Sequence, residues 1–245
     1  MAACVFLTGY NNFVRLRRWY PVVNGCAAVA ALGAAWASGL RVEDLGLGRE
    51  RLGAGLRLGA AAAGPVVAAY GVAVLTPSAR PLLDDQRVAG LDGRELAYQV
   101  LFRIPIGTVA WEEIAFRGVL HASLRRVLPE PWAIAVGASV FGVWHIRPTG
   151  GALGVNGLAT GRRARVLAVT GVVAGMAGVG VLLSVLRERS GSLAAPVVLH
   201  MAANCVGPLA SALARRPGQR PGPPHWPAAL VTEAPPVTLL ANLFA

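Results

Sequence analysis

The chain has 245 residues, of which 55% are hydrophobic and only 14% are charged, whereas soluble domains carry about 25% charged residues. This deficit argues against an ordinary soluble domain, which needs a polar surface, and predicts a multi-pass protein of the cell membrane. The net charge of +11 does not indicate a nucleic-acid partner, because the arginines lie at the ends of apolar runs. The Arg-only, Ala-rich composition is typical of a bacterium with a GC-rich genome.

The N-terminal part of the chain predicts two membrane spans, at residues 21–40 and 58–75. Residues 35–37 (Ala-Trp-Ala) imitate a signal-peptidase site. The length of the first apolar run and the spans that follow it favour a retained helix. Both spans are read as part of one membrane-embedded domain, 1–245.

The third apolar element, residues 94–126, is longer than the roughly 20 residues that cross a bilayer. Pro105 and Gly107 lie near its middle. Because proline removes a backbone donor, this pair is expected to kink or break the helix. The charged residues that follow would then lie within the membrane or at its edge.

The C-terminal half predicts three further spans, at 131–146, 166–186 and 192–213, with a glycine-rich loop at 147–165 and a Pro/Arg-rich tail at 214–245. The fold class is therefore all-α, a polytopic transmembrane helix bundle with about six to seven spans. The loop is read as a solvated connector, with a gate over the site as the alternative. The connectors alternate between the two faces of the membrane, and those on the same face as the N-terminus hold more arginines. The positive-inside rule therefore places the N-terminus in the cytoplasm.

Two adjacent carboxylates, Glu112 and Glu113, lie inside the third element. Insertion of a charged group at the bilayer centre costs roughly 2.5–3.5 kcal/mol of free energy, so two adjacent carboxylates there indicate a functional or structural role. Glu113 and Arg117 are four residues apart and are predicted to pair on one helix face. Glu112 points about 100° away, has no local cation, and is a candidate general base. The alternative for this segment is a structural ion pair at a helix end.

Two further segments carry polar residues at helical spacing on predicted spans. Phe141 and His145 are four residues apart, as are His200 and Asn204. Each segment alone also fits structural hydrogen bonding between helices. Polar groups in a bilayer seek one another or a wet cavity, so the carboxylates, imidazoles and amide are predicted to meet in one pocket suited to acyl-bond hydrolysis.

The cysteines show no metal or disulfide spacing and are read as packing residues: Cys4, Cys26 and Cys205.

These segments resemble the CPBP (Abi) family of membrane proteases, which includes the type II CAAX prenyl endopeptidases and proteins like lysostaphin resistance protein A. The family pattern is E-E-x-x-x-R, then F-x-x-x-H, then H-x-x-x-N or D. The chain matches all three motifs in order, within a family-like core of about residues 94–208.

The resemblance implies a glutamate-dependent intramembrane endopeptidase without a cofactor, acting on a peptide or membrane-protein substrate in the lipid bilayer. Glu112 would activate water with help from His145, His200 and Asn204 would stabilise the oxyanion, and Glu113 with Arg117 would support the site. The family was long described as metalloproteases. A zinc ion held by Glu112, His145 and His200 is therefore the alternative mechanism.

Two other classes of function stay open. One is a non-catalytic membrane protein, such as a bacteriocin-immunity or signalling scaffold, since family membership does not establish turnover. The other is a transporter that uses Glu112 and the histidines as a proton relay, although no inverted repeat supports it. The substrate, its prenylation and the oligomeric state are not predicted by the sequence.

Overall fold

The computed structural model describes residues 6–7, 9–10, 19–155, 159 and 161–215, and the regular elements among them are all helices. Short helical turns lie in the connectors at Arg49–Arg51, Arg80–Leu83 and Gln86–Ala89. The predicted all-α class is therefore confirmed. Cys4 and residues 216–245 of the predicted tail lie outside the described residues. The longer helices are α1 (Tyr20–Ala37), α2 (Leu52–Leu75), α3 (residues 93–125), α4 (Glu130–Trp144), α5 (Ile146–Val155), α6 (Arg162–Ser190) and α7 (Ala194–Ala214).

Four stretches in the described part of the chain are long and apolar enough to cross a membrane. They confirm a polytopic helical membrane protein. α3 and α4 carry the other predicted spans, one with charged residues in its middle and one of only 15 residues. The four stretches are Tyr20–Ala37, Arg49–Leu75, Arg162–Ser190 and Ala194–Ala214.

Many large apolar side chains are exposed on the outside of the helices, whereas a charged pair is buried within the bundle. Leu75 and Trp36 are 79% and 77% exposed, whereas Glu113 and Arg117 are 0% and 1% exposed. Because lipid solvates apolar side chains and excludes charge, such a molecule is stable with its hydrophobic residues outside and its ion pairs inside. The charged side chains of this pair therefore lie in the interior of the bundle, away from lipid.

Of the two outcomes predicted at Pro105, a kink or a break, the break does not occur, because α3 continues through the proline. The chain is helical from residue 93 to residue 125, and its turns widen to π-helical spacing at Gln99–Ala110 and Glu113–Leu120. Pro105 has no N–H for the Val100 carbonyl, five residues earlier at π-helical spacing, and Cys205 of α7 donates from Sγ to that carbonyl at 3.5 Å. Neighbouring helices commonly rescue proline in this way in membranes.

The predicted loop at 147–165 is also partly wrong, because Ile146–Val155 forms the helix α5 directly after α4. Glycine at 150, 151 and 154 lowers the helix propensity of this stretch, which explains the prediction. The chain changes direction at His145, whose φ and ψ of −89° and 2° end α4. His145 therefore lies at a helix junction and not in the middle of a span.

Close contact between α4 and α6 depends on a glycine. A Cβ atom added at Gly142 would lie 2.5 Å from the Val173 carbonyl oxygen and 3.1 Å from the Ala177 Cβ. Small residues allow membrane helices to approach in this way and gain van der Waals contacts. This approach holds α4, which ends at His145, against the long helix α6.

We expect Gly142→Ala to lower the free energy of unfolding by about 1–3 kcal/mol, because the added methyl group forces α4 and α6 apart. Gly178→Ala is the matched control on α6, since a Cβ atom there meets nothing within 4 Å. This control is expected to be neutral or slightly stabilising. Thermal unfolding in detergent measures both variants, and equal midpoints would contradict the close-packing assignment.

Candidate active site

The charged and polar residues singled out from the sequence are all buried inside the bundle. They come from the second half of α3, the end of α4 and the first half of α7. None is more than 6% exposed. Burial of so many polar groups is costly in a bilayer unless they interact with one another, and most of them do. The residues are Glu112, Glu113, Arg117, His145, His200 and Asn204.

Glu113 is the centre of the ionic network. Arg117 donates from its guanidinium to Glu113 Oε1 at 3.2 Å, as the i,i+4 spacing predicts. The same carboxylate oxygen lies 2.7 Å from His200 Nδ1. A carboxylate paired with an arginine is a hydrogen-bond acceptor, so His200 Nδ1 carries a proton and donates it. Glu113 therefore joins α3 to α7 and fixes the orientation of the His200 ring.

Glu112 lies on the other side of the same imidazole. Its Oε2 atom is 4.0 Å from His200 Nε2. Its Oε1 atom accepts a hydrogen bond of 2.9 Å from the indole N–H of Trp144 at the end of α4. Oε2 accepts no hydrogen bond from the described part of the chain although it is buried. A buried carboxylate oxygen without a hydrogen bond is costly, so Oε2 is placed to accept one from a water molecule or a substrate that reaches it.

Phe141 packs among the site residues of all three helices. The Arg117 guanidinium lies 4.0 Å from the centre of its ring, a cation–π distance. The His145 and His200 rings lie 4.6 Å and 6.4 Å from the same ring, both edge-on. The structure thus brings the two histidines to one aromatic side chain, and the F-x-x-x-H motif acquires a packing role.

The backbone sets the tautomer of His145. Its Nδ1 atom lies 2.8 Å from the carbonyl oxygen of Phe141. A carbonyl oxygen only accepts, so Nδ1 carries the proton. In the neutral imidazole, Nε2 is then the basic nitrogen that can hold or deprotonate water.

Asn204 is one turn beyond His200 on α7 and is only 1% exposed. Its Oδ1 atom receives no hydrogen bond from the residues that the structure describes. A buried amide without a full set of partners is consistent with a group that binds substrate or water. The neighbouring Cys205 is buried among Ile104 and Val109 of α3, in agreement with a packing role.

Two interactions of the site were not predicted from the sequence. Trp144 precedes His145 in the chain, but nothing local indicates that its indole reaches Glu112, 32 residues earlier. The contact of Glu113 with His200 spans 87 residues and is equally non-local. His121, near the C-terminal end of α3, contacts Glu188 at 2.6 Å and joins α3 to α6.

A zinc ion held by Glu112, His145 and His200 is the alternative mechanism that the sequence leaves open. No group of three His, Cys, Asp or Glu side chains lies close enough to hold one, within the described ranges. Nδ1 of His145 is occupied by the Phe141 carbonyl and Nδ1 of His200 by Glu113. Hydrogen bonds at Nδ1 of this kind orient each imidazole toward its Nε2 side, whether Nε2 meets a water molecule or a metal ion.

Fold and site together define a helical membrane protein whose interior holds a carboxylate–imidazole centre. The family model described as Rce1-like, type II CAAX prenyl endopeptidase Rce1-like, matches residues 95–206. No curated protein and no solved structure matches the chain significantly. The matched range includes all three motifs, so the resemblance noted from them is confirmed. Residues 95–206 are thus similar to the type II CAAX prenyl endopeptidases that the Rce1-like family model describes.

Proposed function

We propose that this protein is a glutamic intramembrane endopeptidase that hydrolyses a peptide bond of a membrane-associated substrate. The observation that carries the proposal is the position of Glu112, buried and 4.0 Å from a histidine on another helix, with one carboxylate oxygen unpartnered by the described residues. A desolvated carboxylate beside an imidazole is the arrangement that activates water for attack on an acyl carbon.

In the proposed reaction, Glu112 takes a proton from water as the oxygen attacks the peptide carbonyl carbon. Nε2 of His145 accepts a hydrogen bond from the same water and aligns it. The tetrahedral intermediate then collapses with loss of the amine, which takes the proton from Glu112. The products are a carboxylic acid and an amine, which become a carboxylate and an ammonium ion when the remaining water proton passes from the acid to the amine, so atoms and charge balance without a cofactor.

The oxyanion of the intermediate is stabilised by His200 and Asn204. Because Nδ1 of His200 already donates to Glu113, Nε2 can donate as well only when the ring is an imidazolium. Glu113 is placed to stabilise that positive charge, and Arg117 holds Glu113 in place at 3.2 Å. We therefore assign Glu113 and Arg117 a positioning role through His200, together with their structural role in joining two helices.

The proposed substrate is a peptide or membrane protein that reaches the site from the bilayer, with or without a prenyl group. All six site residues are buried, so the helices around them must part to admit a polypeptide. The arginine distribution supports a cytoplasmic N-terminus. The proposed domain is the whole chain, with its chemistry confined to the matched region.

The substrate can be found by comparing the membrane proteomes of cells that carry the wild-type protein and cells that carry Glu112→Gln. We expect one or more membrane proteins to yield new C-termini only in the wild-type cells. That peptide then becomes the substrate for purified enzyme in liposomes. The same termini in both cell types would count against the proposal and favour a non-catalytic membrane role.

Removal of metal ions tests the cofactor-free mechanism. We expect cleavage by the purified protein to persist after chelation with EDTA and 1,10-phenanthroline, because no described group of side chains can hold zinc. The measurement is the initial rate before and after chelation, together with the zinc content per protein. Stoichiometric zinc and a rate that falls on chelation and returns with added zinc would overturn the mechanism.

A further inference from the structure

The indole of Trp144 is the single side chain that the described residues place on Glu112 as a hydrogen-bond donor, with Nε1 2.9 Å from Oε1. Trp144 is 1% exposed and ends α4, one residue before His145. A hydrogen bond to a charged group in a dry interior is both strong and directional. It determines that Oε1 of Glu112 faces the indole and that Oε2 faces His200.

The Trp144 ring is held on several sides by other aromatic rings. Tyr10 stacks nearly parallel to it, with centroids 6.1 Å apart and planes 13° apart. Phe116 meets it edge-on at 5.3 Å, and Trp111 tilts against it at 6.3 Å. The indole N–H therefore has a fixed direction, and a carboxylate bonded to it shares that direction.

We infer that Trp144 is a positioning residue for the hydrolysis: its indole N–H holds Glu112 so that Oε2 faces His200 and the attacking water. This assignment rests on the proposed function of Glu112 but adds a residue outside the three motifs. The residue acts through Glu112 and does not need to touch the substrate. A rival explanation is that the buried N–H simply takes the nearest acceptor, with no effect on turnover.

The neighbouring Trp111 offers a matched control. It is 2% exposed, lies in the same aromatic cluster and also packs against Tyr10, at 5.6 Å. Its Nε1 atom makes no hydrogen bond to the described part of the chain. Trp144→Phe removes ring volume and the hydrogen bond to Glu112, whereas Trp111→Phe removes ring volume without such a bond. The difference between the two variants isolates the hydrogen bond.

Kinetics on the peptide identified by proteomics provide the first readout. We expect kcat of Trp144→Phe to fall about 10-fold or more below that of Trp111→Phe, the scale of one hydrogen bond to a charged group, with KM within about twofold. Trp144→His keeps a ring N–H at a similar distance from Cβ and is expected to recover part of kcat. Equal kcat for the two phenylalanine variants, or a change confined to KM, would overturn the inference.

The second readout needs no activity and separates this inference from the proposed function. In ¹⁵N-labelled protein, the indole N–H signal of Trp144 is assigned by its loss in Trp144→Phe. Glu112→Gln is expected to move this signal upfield, because an amide oxygen is a weaker acceptor than a carboxylate, and to leave the Trp111 signal nearly unchanged. An unmoved Trp144 signal would refute the positioning role even if the enzyme cleaves its substrate. An inactive wild-type enzyme would refute the proposed function even if the signal moves.

Discussion

Replacing Glu112 with glutamine is expected to lower kcat/KM for peptide cleavage by about 10²–10⁴-fold, the contribution of a positioned general base. The amide cannot take the proton from water. It can still accept the indole hydrogen bond of Trp144, so the site stays packed and the variant folds. The measurement is the cleavage rate of the purified variant in liposomes, with thermal unfolding as the check on stability.

Glu130→Gln is the matched control for this result. It makes the same chemical change at an exposed carboxylate in the first turn of α4. Its cost is limited to a weaker interaction with the helix dipole, about 0.3–1 kcal/mol, and its cleavage rate is expected to equal that of the wild type. If Glu112→Gln cleaves the peptide at the same rate as Glu130→Gln, the Glu112 carboxylate is not the general base.

Removing either proposed oxyanion donor is expected to lower kcat by about 10²–10³-fold with little change in KM, because the oxyanion exists only in the transition state and the intermediate. His200→Ala and Asn204→Ala are the variants. The double variant should lose less than the product of the two single losses, since both groups serve one oxygen. Steady-state kcat and KM of the three proteins measure the effect.

Cys205→Ala controls for packing on α7, because Cys205 follows Asn204 and is buried against Ile104 and Val109. A modest loss of stability without a fall in kcat is expected from it. If Asn204→Ala and Cys205→Ala show the same kcat, Asn204 contributes packing and not catalysis, and the proposed oxyanion hole loses one of its donors.

Local spacing predicted part of the site from the sequence. Glu113 and Arg117 are one helical turn apart, and their ion pair is present. Such i,i+4 relations survive even where α3 widens to π-helical spacing, because both side chains stay on one face and their charges attract across the small offset. His200 and Asn204 lie on one face of α7 because of the same periodicity.

Contacts between different helices could not be predicted from local spacing. Trp144, the partner of Glu112, and His200, the second partner of Glu113, lie on other helices, and these contacts depend on how α4 and α7 pack against α3. The backbone of α3 before Pro105 likewise finds a donor on another helix, because Cys205 of α7 donates to the Val100 carbonyl. Tertiary contacts of this kind override local signals such as a proline. A single sequence contains no measure of them.

The test of the central claim is the fate of water oxygen during cleavage of the identified peptide in H₂¹⁸O with hydroxylamine present. If Glu112 activates water for direct attack, the new C-terminal carboxylate carries one ¹⁸O atom and no hydroxamate forms. If the carboxylate attacks the peptide itself, an acyl intermediate forms and hydroxylamine intercepts it. A peptide hydroxamate in the mass spectrum would contradict the account, and ¹⁸O-labelled acid as the sole product would support it.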